Sequence, residues 1–159
     1  MPTTASRDEQ SDEGIDEVAD AVLAGSRALV AVSARSIASA KGVTFPQYRM
    51  LVVLESGPSN LTELARHLDV APSTALRMVD RLQAADLVTR EVRPDNRRET
   101  VLSLTAAGRR TVRTVNARRR RDLRAIVAKI PAGQRADLAR AMAVFAAVAE
   151  EVWPIAASE

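Results

Sequence analysis

The chain has 159 residues, of which 47% are hydrophobic and only four are Phe, Trp or Tyr. This length is sufficient for one buried core, which Leu, Val, Ala and Met must fill because aromatic residues are so few. The absence of cysteine excludes disulfides, thiolate metal sites and a cysteine redox switch. The net charge of +3 is modest.

Charge is unevenly distributed along the chain. Residues 1–20 hold seven acidic side chains against Arg7 alone, whereas residues 90–124 hold twelve arginines against four acidic residues. The basic region predicts an anionic partner. Residues 1–13 are expected to be a disordered acidic tail. They lack the basic start and apolar run of a secretory signal, and no stretch approaches about 18 consecutive apolar residues, so we expect a cytoplasmic protein without a membrane segment.

Residues 14–43 are expected to contain one long amphipathic helix. Its apolar residues recur at helical spacing from Ile15 to about Ala40: Ile15, Val18, Ala19, Val22, Leu23, Leu29, Val30 and Ile37.

A helix-turn-helix is predicted next. Leu61, Leu64, Ala65 and Leu68 share one helical face, and Asn60 with Glu63 has the form of a capping pair. After a short break at residues 69–71, Pro72 suits the first position of a second helix. The buried stripe predicted for this second helix comprises Ala75, Met78, Val79 and Leu82.

The outward face of the second helix is the predicted contact with DNA. It comprises Ser73, Thr74, Leu76, Arg77, Asp80 and Arg81. The Arg77 side chain is long enough to reach O6 and N7 of a guanine, and Leu76 could contact a thymine methyl group. Ser73 and Thr74 are suited to bind a phosphate, and Arg81 would also bind a phosphate and so fix the register of the helix on DNA. The alternative is that these are solvent-facing residues of a small helical domain, with Leu76 packed on a neighbouring helix.

A two-stranded wing follows the helix-turn-helix. Residues 87–93 and 100–104 read as strands joined by the turn at residues 94–98. Because the negative potential of a minor groove attracts guanidinium groups, this region adds three expected DNA contacts, Arg93, Arg97 and Arg98. The alternative is an exposed hairpin tip that is basic for solubility.

Two further helices are predicted in residues 109–159. The first runs from a Thr105 cap to about Lys129 and carries Leu123, Ile126 and Val127 toward a core. The last runs from about Ala132 to Val152 and presents Leu138, Met142, Phe145, Ala149 and Val152. The apolar stripes of helices at the two ends of so small a domain cannot cover one another fully. A second copy is the simplest cover, which predicts a homodimer, and the alternative is a monomer with these helices folded as a hairpin.

The remaining candidate residues give weaker signals. The arginine run at residues 118–121 points around the whole helix, so only some of it can contact one partner. His67 has no partner at metal-binding spacing and is expected at the surface, and Trp153 is expected to anchor the last helix at the dimer contact. The sequence has no Gly-rich phosphate-binding loop and no recognisable set of catalytic residues, so we expect neither an enzyme nor a metal or cofactor site. Aromatic residues are too few to form the stacking surface with which proteins bind single-stranded RNA.

The segment from about Thr44 to Gly108 resembles the MarR-type winged-helix transcription regulators. The similarity rests on TFPQYRMLVVLESGP, LTELARHLDVAPSTALRMVDRLQAADLV and DNRRETVLSLTAAG. It implies a mainly α fold with a small β wing, in which residues 44–108 bind double-stranded DNA and the helices on either side dimerise. The family's wing pattern Asp-x-Arg places its arginine on Arg98, but Asn96 occupies the aspartate position, and Asp95 could supply the charge instead.

The resemblance also implies a mechanism. It suggests a repressor, or less often an activator, that binds a pseudo-palindromic operator. A small aromatic or phenolic acid would release the protein from this operator by binding where the dimer helices meet the winged helix. By analogy, Arg35, Tyr48 and Arg49 would lie near that cleft, whereas the structural alternative makes Tyr48 a core residue and both arginines surface charges. The alternative function is an architectural or constitutively repressing DNA-binding protein with no effector.

Overall fold

The computed structural model describes residues 4–40, 42–92 and 100–152. In these ranges the chain forms six helices and one two-stranded sheet: α1 (Thr4–Ile37), α2 (Phe45–Ser56), α3 (Leu61–Leu68), α4 (Pro72–Ala84), β1 (Val88–Val92), β2 (Thr100–Leu104), α5 (Ala106–Val127) and α6 (Ala132–Val152). The expected mainly α fold with a β wing is confirmed. The chain divides into two compact units, Met1–Arg35 and Ser36–Glu159.

The first unit contains most of the long helix α1, which begins at Thr4 and not at residue 14. The expected disordered tail is therefore helical from Thr4 onward. Residues 5–13 contain neither Gly nor Pro, the two residues least favourable to a helix interior. The large apolar residues of α1 are exposed from Ile15 to Val30. The helix ends at Ile37, where the N–H groups of Ser39 and Ala40 close a turn.

The second unit contains one apolar core. The helix-turn-helix contributes Leu64, Leu68, Ala75, Val79 and Leu82, all of them buried as the spacing predicts. Helix α2 was not predicted from the sequence, and it contributes Tyr48, Met50, Leu51 and Leu54. Helix α5 adds Val112 and Val115, and the wing adds Val88, Leu102 and Leu104.

The wing is held to the helices by backbone hydrogen bonds. Its strands are antiparallel, with Val88 opposite Leu104 and Val92 opposite Thr100. Ser59, just before α3, exchanges two hydrogen bonds with Leu102, at 3.1 and 2.8 Å. Because Leu102 lies in the middle of β2, these bonds fix the wing against the start of the helix-turn-helix.

Helix α3 begins at the predicted capping box. The Asn60 side chain accepts from the N–H of Glu63 at 2.9 Å, and a Glu63 carboxylate oxygen accepts from the N–H of Asn60 at 3.1 Å. The carboxylate also accepts from the Ser59 hydroxyl at 2.9 Å. The backbone bond and then the hydroxyl bond lower the pKa of the Glu63 carboxyl. The stabilisation that Glu63 contributes is therefore present at neutral pH and is lost as the pH falls through this lowered pKa.

We expect Asn60→Ala to lower the free energy of unfolding by about 1 kcal/mol, because it leaves one orphan N–H of the first turn without its acceptor. Thr62→Ala, an exposed change one position from Glu63 on the same helix, is the matched control and should change stability by less than about 0.5 kcal/mol. Urea denaturation of both variants at one protein concentration measures the difference. Equal midpoints would contradict a stabilising role for the cap.

Helix α6 differs from the other helices of the second unit because none of its residues is buried. Leu138, Met142, Phe145 and Val152 are exposed. At the end of α5, Ile126 is 46% exposed and Val127 is 39% exposed. Of the three residues of α5 predicted to point toward a core, Leu123 is half-buried, whereas Ile126 and Val127 are not covered by this chain. Helical spacing identifies an apolar stripe, but it cannot tell whether the same chain or a second one covers it.

Candidate nucleic-acid interface

Helix α4 places one face in the core and the opposite face in solvent. Ala75, Val79 and Leu82 are buried on the inner face, and Met78 lies at its margin. On the outer face Ser73, Arg77 and Arg81 are exposed, Thr74 is half-buried, and Leu76 is 38% exposed. The outward residues predicted from spacing are thus brought together on one surface, and Leu76 does not pack into the core.

The start of α4 is open to an anion. Its N-cap residue is Ala71, which has no side chain to accept from the first turn, and Pro72 has no N–H. The N–H groups of Thr74 and Ala75 donate to the carbonyl of Ala71, at 2.8 and 3.0 Å. The N–H of Ser73 donates to no acceptor among the described residues and is available to a phosphate oxygen.

Arg77 is held near this opening. Its Nη2 donates to Oγ1 of Thr74 at 3.5 Å, which draws the guanidinium one turn back toward the start of the helix. The bond is long, so it orients the side chain without fixing it. A guanidinium at the first turn of a helix has five donors and can form a bidentate contact with the edge of a guanine.

An ion pair joins α4 to the wing. Nη2 of Arg90, on β1, lies 3.8 Å from Oδ1 of Asp80 on the outer face of α4. Both side chains are partly exposed, so the pair contributes little to stability, about 0–1 kcal/mol. No local pattern of residues predicts this pair, because only the fold brings these two positions together. Its effect is to place a third arginine beside the outer face of α4, which already carries Arg77 and Arg81.

The predicted groove contacts of the wing, Arg93, Arg97 and Arg98, lie outside the described residues. The same is true of Asp95 and Asn96, so bracing of the wing arginine by Asp95 stays a prediction. Trp153 also lies outside them. Among the residues that are described, β1 and β2 carry the chain to the two ends of this turn, at Val92 and Thr100.

The proposed effector residues do not share one environment. Tyr48 is 2% exposed, and its hydroxyl donates to Oδ1 of Asn116 on α5 at 2.8 Å. The guanidinium of Arg119 lies 5.7 Å from the centre of the Tyr48 ring. Burial raises the pKa of the Tyr48 phenol, although Arg119 acts in the opposite direction. Arg35 and Arg49 are exposed.

We expect Tyr48→Phe to lower the free energy of unfolding by about 1 kcal/mol, because it removes the hydroxyl bond and leaves the Asn116 amide oxygen without this donor. The double variant Tyr48→Phe/Asn116→Ala should lose less than the sum of the two single changes, since both remove the same bond. Urea denaturation of the three variants and the wild type measures the coupling. Strict additivity would show that the bond does not stabilise the fold.

The arginine run is divided among different environments, as the helical spacing predicts. Arg118 and Arg119 are half-buried, whereas Arg120 and Arg121 are exposed. His67 is also half-buried. Among the side chains described in residues 14–40, 42–92 and 100–152, no group of three His, Asp or Glu residues could hold a metal ion. In the described part of the chain, no helix is long and apolar enough to cross a membrane.

Comparison with known proteins identifies the family. A sequence profile described as the MarR family matches residues 43–100. The solved structure of RV1404 from Mycobacterium tuberculosis is 44% identical and covers 84% of this chain and 92% of its own, with a TM-score of 0.78. The structure of a MarR family protein from Bacillus stearothermophilus shares the fold at 23% identity and a TM-score of 0.74, covering 84% of this chain and 94% of its own.

A curated relative adds a function to this comparison. It is the putative transcriptional regulatory protein for the hcr operon of Thauera aromatica, which is 34% identical over 76 residues and 47% of this chain. The chain spans about half of that relative, 46% of its length. The family profile matches residues 43–100, which contain the helix-turn-helix. The chain therefore belongs to the MarR family of winged-helix transcription regulators.

Proposed function

We propose that this chain is a sequence-specific DNA-binding regulator of transcription that acts as a homodimer in the cytoplasm. The observation that carries the proposal is the outer face of α4, where Arg77, Ser73 and Arg81 are exposed together while the opposite face is buried in the core. A surface helix with this distribution can enter the major groove of DNA without exposing its apolar side. The family consists of non-enzymatic regulators, so the chain is not an enzyme.

Each exposed group of α4 has a role that its chemistry suits. Arg77 would read guanine in the major groove, and Leu76 would contact a thymine methyl group. Ser73, Thr74 and Arg81 would bind phosphates and fix the register of the helix. The wing arginines Arg93, Arg97 and Arg98 would enter the adjacent minor groove.

The exposed apolar stripes support a dimer. Helix α6 buries none of its residues, and α1 exposes large apolar side chains from Ile15 to Val30. Contiguous apolar faces of this kind mark protein interaction sites. A two-fold dimer would place its recognition helices about 34–36 Å apart and would read a pseudo-palindromic operator.

A competition assay tests the proposal. A labelled duplex that contains a bound site should be released by excess unlabelled duplex and only weakly by heparin at moderate salt. The logarithm of the binding constant should fall linearly with the logarithm of the salt concentration. Sedimentation of the same sample should show a dimer at micromolar concentration. Equal competition by heparin and by duplex would contradict sequence-specific binding, and a monomer would contradict the dimer.

The proposed mode of regulation is repression that a small aromatic or phenolic acid relieves. The acid would bind more tightly to the dimer conformation in which the spacing of the recognition helices does not fit the operator. The second candidate, constitutive repression or an architectural role without an effector, is favoured by one observation. Tyr48 is buried and already bonded to Asn116, so it presents no free hydroxyl to a ligand.

A thermal-shift screen of phenolic acids, followed by a DNA-release assay for each hit, separates these two modes. A compound that raises the melting temperature and also releases DNA would support the effector. A panel without any such compound would favour the second candidate.

A further inference from the structure

The outer face of α4 carries an acidic residue that the proposed DNA contacts do not use. Asp80 is the one acidic residue of this helix. Its side chain is 57% exposed, so a duplex that lies against the outer face would meet the carboxylate. Duplex DNA carries one negative charge per about 1.7 Å of its axis and therefore repels a carboxylate. An acidic residue at this position thus weakens the general attraction of α4 for DNA.

Asp80 lies in the central row of the outer face. At about 100° per residue, the mean direction of this row is about 180° around the helix from the buried residues of α4. The row consists of Ser73, Arg77, Asp80 and Ala84, and all of these residues are exposed. Asp80 follows Arg77 by about 4.5 Å of helix. A duplex whose bases Arg77 reaches therefore also lies close to Asp80.

Arg90 positions the Asp80 carboxylate on this face. Nη2 of Arg90 lies 3.8 Å from Oδ1 of Asp80, and the Arg90 side chain is 35% exposed. Because both side chains are in contact with water, the pair contributes little to stability. Its main effect is to hold the carboxylate beside the wing. A charge that is held in one place favours some alignments of a partner and disfavours others.

The carboxylate would have different surroundings in specific and in non-specific DNA complexes. Non-specific binding depends almost entirely on phosphates, which repel a carboxylate. When α4 is seated in the major groove, its central row faces the base edges, where an aspartate can accept a hydrogen bond from the N4 amino group of cytosine. The repulsion is therefore larger in the non-specific complex. Contacts between like charges are a general means of suppressing wrong partners.

We propose that Asp80, positioned by Arg90, determines specificity by weakening the binding of non-operator DNA more than the binding of the operator. The inference rests on the proposed function as a sequence-specific regulator, and it assigns a role to the acidic residue that lies between Arg77 and Arg81 on the outer face of α4. A purely structural ion pair has the opposite consequence. If the pair only held the wing in place, removing the Asp80 charge would weaken the binding of every duplex.

Neutralising Asp80 tests this role. Asp80→Asn keeps the size of the side chain and removes its charge, and Asp80→Ala excludes a new contact of the amide, which can itself bind adenine. At low salt, both variants should bind a scrambled duplex at least about fivefold more tightly than the wild type, whereas their affinity for the operator duplex should rise by no more than about twofold. Titration of both labelled duplexes, followed by fluorescence anisotropy, measures the two affinities.

Two further variants separate the position of the charge from the net charge of the protein. Asp137→Asn makes the same change in the exposed ion pair of Asp137 and Arg140 on α6, outside the helix-turn-helix and the wing, and should leave both affinities within about twofold of the wild type. Asp80→Glu keeps the charge and should retain the weak binding of the scrambled duplex. The gain caused by Asp80→Asn should shrink as salt rises, because salt screens the repulsion between exposed charges.

The outcomes separate this inference from the function on which it rests. A wild-type protein that binds operator and scrambled duplexes equally would contradict both. If the wild type prefers the operator but Asp80→Asn binds the scrambled duplex no more tightly, the role of Asp80 alone is overturned. An equal gain on the two duplexes would also overturn it, because the carboxylate would then lower affinity without discriminating. So would an equal gain for Asp137→Asn, since net charge would then explain the effect.

Discussion

Replacing Gly108 by alanine is expected to lower the free energy of unfolding by at least about 3 kcal/mol, at the upper end of what overpacking costs. A Cβ atom at Gly108 would overlap the carbonyl oxygen of Leu87 and would lie 3.2 Å from Cδ2 of Leu104. The first atom belongs to the backbone, so no side-chain rotation can relieve the overlap. Either α5 or the start of the wing must move.

The surrounding hydrogen bonds make that movement costly. The N–H of Thr105 donates to the carbonyl of Leu87 at 3.1 Å, and the Thr105 hydroxyl donates to the carbonyl of Asp86 at 2.7 Å. The same hydroxyl accepts from the N–H of Gly108 at 2.9 Å, which caps α5. A shift of α5 would therefore strain its cap and its junction with β1 together.

Gly14→Ala is the matched control for this change. Gly14 lies within α1, and nothing lies within 4 Å of the Cβ that alanine would add. Alanine is favoured over glycine in a helix by up to about 1 kcal/mol, so this variant should be as stable as the wild type or slightly more stable. Denaturation of both variants at one protein concentration gives the comparison. A loss below about 1 kcal/mol for Gly108→Ala would show that the junction is not rigid.

Arg77→Ala is expected to weaken binding to the specific operator by about 1–3 kcal/mol, or roughly 5- to 150-fold, and to relax the preference at one base pair. Its effect on a scrambled duplex should be much smaller, because bidentate recognition of a base depends on sequence. Arg77 is exposed and makes only one long hydrogen bond to Thr74, so the change should leave the fold intact.

Arg81→Ala provides the contrast, because Arg81 is exposed on the same helix and is assigned to a phosphate. This variant should weaken binding to specific and scrambled duplexes alike and should reduce the salt slope by about 1. Titration of both duplexes with both variants, at several salt concentrations, separates the two roles. Equal losses on the two duplexes for Arg77→Ala would contradict base reading by this residue.

Local patterns of the sequence were sufficient to predict the elements that carry the helix-turn-helix. The Asn60 capping box, Pro72 at the start of α4 and the Thr105 cap of α5 all occur in the structure. Each of these features depends on residues only a few positions apart, so the local sequence is sufficient to determine where the helix begins. The same holds for the two faces of α4, because burial follows helical spacing once one side meets a core.

Features that depend on distant residues could not be predicted in this way. Tyr48 and Asn116 are 68 residues apart, and their hydrogen bond exists only because α2 packs on α5. The pair of Arg90 and Asp80 likewise requires the wing to fold back on α4. The exposure of Ile126 shows a further limit, because an apolar stripe does not reveal whether its partner is the same chain or a second copy.

Selection of bound fragments from a pool of random duplexes measures sequence preference and symmetry in one experiment. We expect one enriched pseudo-palindromic site whose half-sites lie about 10–10.5 base pairs apart, centre to centre. Recovery of duplexes without a shared sequence, or of a single unpaired half-site, would contradict a dimer that reads DNA through two copies of α4.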